Sequence, residues 1–277
     1  MILGLTHAVL GSADMTADRA FFETRGWQPR FVQEGIPVFA GKRPWMSTAS
    51  QEVALAYLDS PGLPALELIA YSQPPPAGIA APLQMIFPAN RLPEVAEENA
   101  TPLAGVRARQ YAGITCPLWV SDAAADQGCI VHHVRDMEAA RRFWVDGFGF
   151  QVVEHGMGQG HPACAEQAGR LFPMLPGQPV QNALSLRFPA LMPQWRARLL
   201  LLPCTDAPAP ALLDGPGFRV VSMVSTKFGV DRARIFEQGG ARASTGVMEE
   251  VIGGKKMLLD LIEGPDGVMV EIFQTLA

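Results

Sequence analysis

Histidine and cysteine are the residues of this chain best suited to chemistry, and both are scarce. The 277 residues include five histidines and four cysteines. His7 lies in the middle of a short apolar segment, and His132 and His133 lie in a second one that begins at Cys129. A histidine in such a place binds a metal or transfers protons near neutral pH, or it is a core residue bonded to the backbone. The ordinary role of a buried cysteine such as Cys129 is that of a small hydrophobe.

Several common catalytic patterns are missing from the sequence. The cysteines form no C-x-x-C pair, which argues against a zinc knuckle or a thioredoxin-like site. No Walker motif, G-x-G-x-x-G turn or G-x-S-x-G elbow occurs either. The net charge is −5 and no Lys/Arg-rich run is present, so we expect no nucleic-acid partner.

The composition predicts a globular protein. Hydrophobic residues make up 48% of the chain and charged residues 18%, which is enough apolar material for a substantial core. No apolar run approaches the roughly 18–20 residues that span a bilayer, and the N-terminus has no signal-peptide pattern. We therefore expect a cytoplasmic protein with reduced thiols and no membrane partner.

Two parts of the chain repeat a pattern of strand followed by helix. The strand-like segment 3–10 precedes Asp14, and the strand-like segment 129–134 precedes Asp136. Each aspartate suits a helix N-cap, and a Phe-Phe or Phe-Trp pair follows each at the same spacing. Internal repetition of this kind is a strong indicator of architecture.

Two weaker copies complete a set of four. Segment 83–88 is strand-like and leads into a predicted helix over 94–100, and segment 218–224 leads into a predicted helix over 231–238. Further strand-like segments follow each helix, so we predict four βαβββ modules. Pro- or Gly-containing linkers at 73–78, 123–128 and 207–217 separate the modules.

A long Gly/Pro-containing segment at 156–181 interrupts the third module. Loops of this length are usually functional or mobile. His155 and His161 flank its start, where they would close over a ligand or stand exposed to solvent.

Three segments carry a family resemblance. The run HHVRDMEAARRFWVDGFGF at 132–150 resembles the strand–helix signature of the vicinal oxygen chelate superfamily, which includes glyoxalases, bleomycin-resistance proteins and extradiol dioxygenases. Residues 4–22 are a looser copy, and EGPDGVMVEIF at 263–273 resembles the end of a module. The resemblance implies an α+β fold in which the modules pair into two cup-shaped, eight-stranded mixed-sheet domains. We place these domains at 1–123 and 128–277, with two modules in each.

The resemblance also implies a metal site. In metal-dependent members, ligands come from the first and last strands of the modules. His7, Glu67 and Gln84 occupy such places in the first domain, and this set would suit Mn, Fe, Co, Ni or Zn. The alternative roles are a buried structural histidine at His7 and an exposed strand residue at Glu67.

The second half departs from the family pattern. Cys129 takes the position of the first ligand, and the strand FRVVSMV of module four contains no histidine. A two-His-one-carboxylate triad is therefore missing from the matching positions, which argues against ring cleavage by non-haem iron. The second cup is then a metal-free pocket or scaffold, or an altered site in which Cys129 or His133 joins Glu271. We name His133 and Glu271 as candidate catalytic residues.

The resemblance further implies a small-molecule substrate or ligand, bound by a monomer or homodimer. Two functions from different classes follow from these expectations. The first is an enzyme that uses a metal-stabilised enolate or related anion in lyase or isomerase chemistry, or in an oxygenation. The second is a non-catalytic binder of the drug-sequestering type, which needs only an apolar pocket with a few polar groups. A metal-free enzyme on the same fold, or a degenerate scaffold, is a further alternative.

Overall fold

The structure, a computed structural model, describes most of the chain. The described residues are 1–60, 63–73, 81–92, 97–101, 106–121, 128–153, 183–190, 192, 195–196, 198–204 and 212–276. The segment 156–181, His155 and His161 lie outside them, as do most residues of the three linkers.

The four modules occur in the predicted order, although the described residues of module two contain a 3₁₀ turn and no α-helix. We call modules one and four the outer modules. Module one consists of β1 (Ile2–Gly11), α1 (Met15–Glu23), β2 (Gln28–Pro37), β3 (Glu52–Asp59) and β4 (Ala65–Tyr71), with a 3₁₀ segment at Ala40–Trp45. Module four consists of β13 (Gly217–Ser225), α3 (Phe228–Glu237), β14 (Ala243–Ser244), β15 (Met248–Ile252), β16 (Lys255–Glu263) and β17 (Met269–Thr275).

Modules two and three are the inner modules. Module two consists of β5 (Leu83–Pro88), a 3₁₀ turn at Ala89–Arg91, β6 (Glu97–Ala100), β7 (Val106–Gln110) and β8 (Leu118–Ser121). Module three consists of β9 (Cys129–Val134), α2 (Met137–Arg142) with a π-turn at Phe143–Gly147, β10 (Gln151–Val152), β11 (Leu184–Arg187) and β12 (Arg198–Pro203).

Both predicted helix N-caps are confirmed. The carboxylate of Asp14 accepts a hydrogen bond from the Ala17 amide at 3.0 Å, and that of Asp136 accepts one from the Ala139 amide at 2.9 Å. Each bond satisfies an amide that the first helical turn leaves without a partner.

The strands form two mixed sheets, which confirms the predicted fold class. The outer-module sheet has nine strands in the order β14-β16-β17-β13-β1-β4-β3-β2, with β15 paired to β16. The inner-module sheet has eight strands in the order β10-β11-β12-β9-β5-β8-β7-β6. The first strands of two modules meet antiparallel at the centre of each sheet, β1 with β13 and β9 with β5.

The predicted pairing of the modules is wrong. We expected modules one and two to share a sheet within 1–123, and modules three and four within 128–277. The structure joins module one to module four and module two to module three. All four modules carry the same strand–helix pattern, and a local repeat does not specify which first strands pair. The two boundaries therefore do not delimit the sheets.

The helix predicted over 94–100 is also wrong in part, because Glu97–Ala100 form strand β6. This strand pairs antiparallel with β7, and Glu98 stands opposite Arg109. The Arg109 Nε donates to Glu98 at 2.7 Å, and its Nη1 donates to the Leu92 carbonyl. Pairing with the neighbouring strand outweighs the local helical preference of a Glu-rich segment.

The main core lies between the sheets and encloses the helices. One apolar cluster includes Phe22 of α1, Trp144 of the π-turn, Ile235 of α3, and residues from both sheets such as Leu66 and Phe87. Two smaller clusters cover the opposite face of each sheet. No helix in the described part of the chain is long and apolar enough to cross a membrane.

Candidate metal centre

The outer-module sheet gathers four polar side chains on the face that points away from the main core. His7 of β1 stands opposite Ser222 of β13. Glu67 of β4 is paired with Val9, and Glu271 of β17 is paired with Ser222. Neighbouring side chains in a strand alternate between faces, and the residues flanking Glu67 lie in the main core. We call His7, Glu67, Ser222 and Glu271 the outer-sheet site.

The side chains of the outer-sheet site lie within a few ångströms of one another. The Nε2 of His7 is 3.6 Å from Glu67 Oε2 and 4.0 Å from Glu271 Oε1. The Ser222 hydroxyl donates to Glu271 Oε1 at 2.8 Å. His7 Nε2 is buried without a hydrogen-bond partner, which is a costly state for a polar atom unless a ligand satisfies it.

The hydrogen bonds of Thr6 define the tautomer of His7. The Thr6 hydroxyl donates to the Ser222 carbonyl at 3.1 Å, and that bond uses its single hydrogen. The contact of 3.0 Å between Thr6 Oγ1 and His7 Nδ1 therefore requires His7 to donate from Nδ1. The lone pair of His7 is then on Nε2, on the side of the two carboxyl groups. Metal-binding histidines are oriented in this way by a partner on the other ring nitrogen.

Burial controls the protonation of the outer-sheet site. It lowers the pKa of His7 to about 3. Burial, and then the charge of Glu271, raise the pKa of Glu67 to about 8. The pKa of Glu271 is also raised by burial, against a smaller opposing effect of its bond from Ser222. Without a cation, the site therefore holds a neutral imidazole and at least one protonated carboxyl, and the short His7–Glu67 contact is not an ion pair.

The side-chain types of the outer-sheet site are those that bind divalent transition metals. One imidazole and two carboxylates are ligands that Mn, Fe, Co, Ni and Zn accept. Ligand atoms about 2.1 Å from one ion stand about 3–4 Å apart, and the two distances from His7 Nε2 fall in this range. Among the described residues, however, no group of three or more His, Cys, Asp or Glu side chains stands close enough together to hold a metal ion in its present arrangement. Binding would therefore require a small inward movement of the carboxylates.

A small cavity opens beside the outer-sheet site. Its volume is about 40 Å³, room for about three water molecules. Glu67 and Glu271 line it together with Lys42 of the 3₁₀ segment, Glu250 of β15 and the Tyr71 side chain. The rest of the described wall is largely apolar and includes Val9, Ile36, Val53, Leu55, Ile69, Val220, Ile252 and Leu261.

The inner-module sheet has no such site at the equivalent positions. Cys129 precedes Asp136 by the spacing that separates His7 from Asp14. By the same strand pairings, the inner-sheet equivalents of Ser222, Glu67 and Glu271 are Ile86, Leu200 and Trp119, in that order. All four inner-sheet residues belong to one apolar cluster. Burial raises the pKa of the Cys129 thiol to about 12, so this thiol is not an activated nucleophile.

The structure separates the residues that we predicted to act together. His7 and Glu67 do lie together, but Gln84 lies on β5 of the inner-module sheet, opposite Val131. The expectation that Gln84 completes their ligand set is wrong, because it depended on the pairing of modules one and two. The place expected for Gln84 is taken by module four.

The two predicted catalytic residues also lie on different sheets. Glu271 is part of the outer-sheet site, whereas His133 lies on β9 with its ring edge-on to Trp119 at 5.6 Å. Burial lowers the pKa of His133. An altered site that combines Glu271 with Cys129 or His133 is therefore not formed.

Sequence reasoning missed Thr6, Lys42, Ser222 and Glu250. Ser222 could have been found from the matching strand of module four, but only with the correct pairing of the modules. The other three carry no motif, and their places depend on a strand irregularity, a 3₁₀ segment and an edge strand.

Comparisons with known proteins bear on the fold. No sequence family and no curated protein matches the chain. Among solved structures, the chain is similar to a variant of glyoxalase I from Zea mays, with a TM-score of 0.60 and 13% identity over 98% of this chain and 92% of that one. It is also similar to unaltered Zea mays glyoxalase I, with a TM-score of 0.57 and 11% identity over 98% and 92%.

A third similar structure comes from a bacterium. It is a proposed dioxygenase from Bacillus subtilis, with a TM-score of 0.57 and 7% identity over 100% of this chain and 86% of that one. At these identities the likeness concerns the fold, and a single fold supports many activities. The chain therefore has the vicinal oxygen chelate fold, in its four-module, two-sheet form.

Proposed function

We propose that this protein is a metal-dependent enzyme that acts on a small, largely apolar molecule with two adjacent oxygen atoms. The observation that carries this proposal is the buried, unpartnered His7 Nε2, which faces two buried carboxyl groups at 3.6 and 4.0 Å. A buried ring nitrogen without a partner is costly. His132 also has such an Nε2, but only that of His7 faces two carboxyl groups among the described residues.

Each residue of the outer-sheet site has a distinct role in this proposal. His7, Glu67 and Glu271 hold the cation, and Ser222 orients Glu271 through its hydroxyl. A divalent cation bound there supplies Lewis-acid stabilisation of negative charge on the oxygen atoms of the substrate. The apolar wall of the cavity excludes water and contacts the carbon skeleton of the substrate.

We propose lyase or isomerase chemistry for this site. Such reactions relocate a proton beside an oxygen-bearing carbon, and they need a base and charge stabilisation. The base is one of the carboxylates that line the cavity, which belong to Glu67, Glu250 and Glu271. His133 is not available for this role, since it lies on the other sheet. The outer-sheet site contains one histidine and two carboxylates, which differs from the two-His-one-carboxylate face of non-haem iron oxygenases.

Elemental analysis of untagged protein tests the metal site. Wild-type protein from metal-supplemented medium should contain about one divalent transition metal per chain, because only the outer-module sheet has ligands at the equivalent positions. His7→Ala and Glu271→Gln should both lose it, although one residue lies in each half of the chain. His133→Gln is the control and should retain it. The proposal fails if His7→Ala and Glu271→Gln keep the metal.

Turnover of a substrate tests the enzyme. Metal-loaded protein would be incubated with a panel of small 2-oxo and 2-hydroxy compounds, and proton exchange at the carbon next to the carbonyl would be followed by NMR in D₂O. The expected result is exchange that depends on His7. Equal exchange by wild type and His7→Ala would contradict an enzymatic role for the site.

A second cavity favours an alternative function. It has a volume of about 530 Å³, it is lined mainly by apolar side chains such as Phe148, Phe188 and Trp195, and it lies outside the outer-sheet site. This size suits a drug-like molecule, as a non-catalytic binding protein would require. Stoichiometric recovery of an unaltered apolar compound, reduced by Trp195→Ala and unaffected by His7→Ala, would support this alternative.

A further inference from the structure

Of the described residues that line the cavity of the outer-sheet site, Lys42 is the only one with a cationic side chain. It projects from the 3₁₀ segment of module one, and Glu250 approaches it from β15 of module four. The Lys42 Nζ is 3.4 Å from Glu250 Oε1, and the two side chains are only 17% and 16% exposed. A largely buried ammonium group needs acceptors, since solvent reaches it poorly.

Glu250 satisfies only part of the hydrogen-bonding capacity of the Lys42 ammonium group. An ammonium group has three N–H donors, and in the described part of the chain Glu250 is the acceptor in contact with it. The distance of 3.4 Å is long for a charge-assisted hydrogen bond, which is usually about 2.7–2.9 Å. Lys42 therefore has donor capacity left for a second acceptor inside the cavity.

The unsatisfied N–H donors of Lys42 favour an anionic second acceptor, because a carboxylate is a stronger hydrogen-bond acceptor than a neutral group. A divalent cation balances ionised Glu67 and Glu271, and Lys42 balances Glu250. A neutral molecule would leave the two remaining N–H donors with weaker acceptors. A cationic molecule would be repelled by both the metal and Lys42, and the one carboxylate outside the ligand set is already paired.

We infer that the substrate is a small 2-oxo or 2-hydroxy carboxylic acid with an apolar side chain, and that Lys42 binds its carboxylate. The inference rests on the proposed function, because the adjacent oxygen atoms of such an acid are those that the metal site would hold. The cavity of about 40 Å³, with room for about three water molecules, and its apolar wall limit the side chain to about one carbon atom. Lys42 is thus the residue that selects acids over neutral analogues.

Ligand binding to Mn²⁺-loaded protein tests this inference. The probes are pyruvate and its neutral amide, titrated calorimetrically into wild type, Lys42→Met, Lys42→Arg and a matched control. The control is Lys256→Met. Lys256 also forms an ion pair with a glutamate of β15, Glu249, but the side chains of this pair are 58% and 54% exposed to solvent. Mn²⁺ affinity of each variant is measured separately as a check on folding and on the metal site.

Wild type and Lys256→Met should bind the acid at least about tenfold more tightly than the amide. Lys42→Met should reduce this preference to within about twofold, while its Mn²⁺ affinity stays equal or increases, because a cation near the metal is removed. Lys42→Arg should retain most of the preference.

Two results would overturn the inference and leave the metal site standing. One is equal binding of acid and amide by Mn²⁺-loaded wild type. The other is a preference that survives in Lys42→Met, since the metal alone would then account for it. Wild-type protein that binds no Mn²⁺ would overturn the proposed function, and this inference with it.

Discussion

Thr6 Oγ1 lies 3.0 Å from His7 Nδ1, although the two residues are neighbours in one strand. In a regular strand their side chains would leave the backbone on opposite faces. The pairing of β1 with β13 shifts register between Leu5 and His7, and such an irregularity can turn a side chain towards a site. Thr6 can therefore reach both the His7 ring and the Ser222 carbonyl.

Thr6→Val should weaken metal binding by about 10–100-fold. The substitution keeps the shape of the side chain but removes the acceptor that holds His7 in the Nδ1–H form, and it leaves the Ser222 carbonyl without its donor. Metal affinity would be measured by competition with a chromophoric chelator.

Thr6→Ser is the matched control for this prediction. It retains the hydroxyl group and should bind metal within about threefold of wild type. If Thr6→Val binds metal as tightly as Thr6→Ser does, the hydroxyl does not orient His7.

Metal-free protein should lose stability as the pH rises from about 6.5 to 8. Burial and the charge of Glu271 raise the pKa of folded Glu67 to about 8, from its ordinary value of 4.5. In this window the unfolded chain has released a proton that the folded chain keeps, so a rise in pH favours unfolding. Burial lowers the pKa of His7 and His132 to about 3, which costs stability only below about pH 6.5. The expected loss is at most about 2 kcal/mol.

Urea unfolding in the presence of EDTA at pH 6.5 and 8.0 measures this loss. Glu67→Gln should flatten the dependence, because glutamine does not titrate. Added metal should reverse its sign, since metal binding displaces protons and strengthens as the pH rises. An unchanged slope in Glu67→Gln would assign the titration to other groups.

The sequence was sufficient to predict what is encoded locally. The helix caps Asp14 and Asp136 were predicted correctly, because a cap, an apolar stripe and a strand lie within about 20 residues of one another. The placement of His7 and Glu67 on one face followed from the same local pattern within module one.

The partner of His7 could not be predicted in this way. Ser222 and Glu271 lie more than 200 residues away along the chain, and the pairing of β1 with β13 depends on how whole modules join. The sequence pattern is equally compatible with β1 pairing to β5, which is why Gln84 was expected in place of module four. The helix prediction for segment 97–100 was wrong for a related reason, since pairing with strand β7 determines the conformation of this segment.

Leu200 and Glu67 occupy equivalent positions in the two sheets, and their substitution should have opposite effects. Leu200 is 3% exposed within an apolar cluster, so Leu200→Ala should lower the free energy of unfolding by about 2–5 kcal/mol. Its metal content should not change. Glu67→Ala should lose the metal, yet destabilise the metal-free protein little or not at all above pH 7, because it removes a buried carboxyl group next to Glu271.

Urea unfolding with EDTA and elemental analysis of the same preparations would separate the two effects. The two effects differ because the faces that point away from the main core carry different side chains in the two sheets. The inner-module sheet fills that face with apolar side chains that stabilise the fold. On the outer-module sheet, the buried polar groups of the proposed metal site would favour folding only when a cation is bound. Loss of metal in Leu200→Ala, with retention in Glu67→Ala, would place the metal site in the inner-module sheet and contradict the assignment.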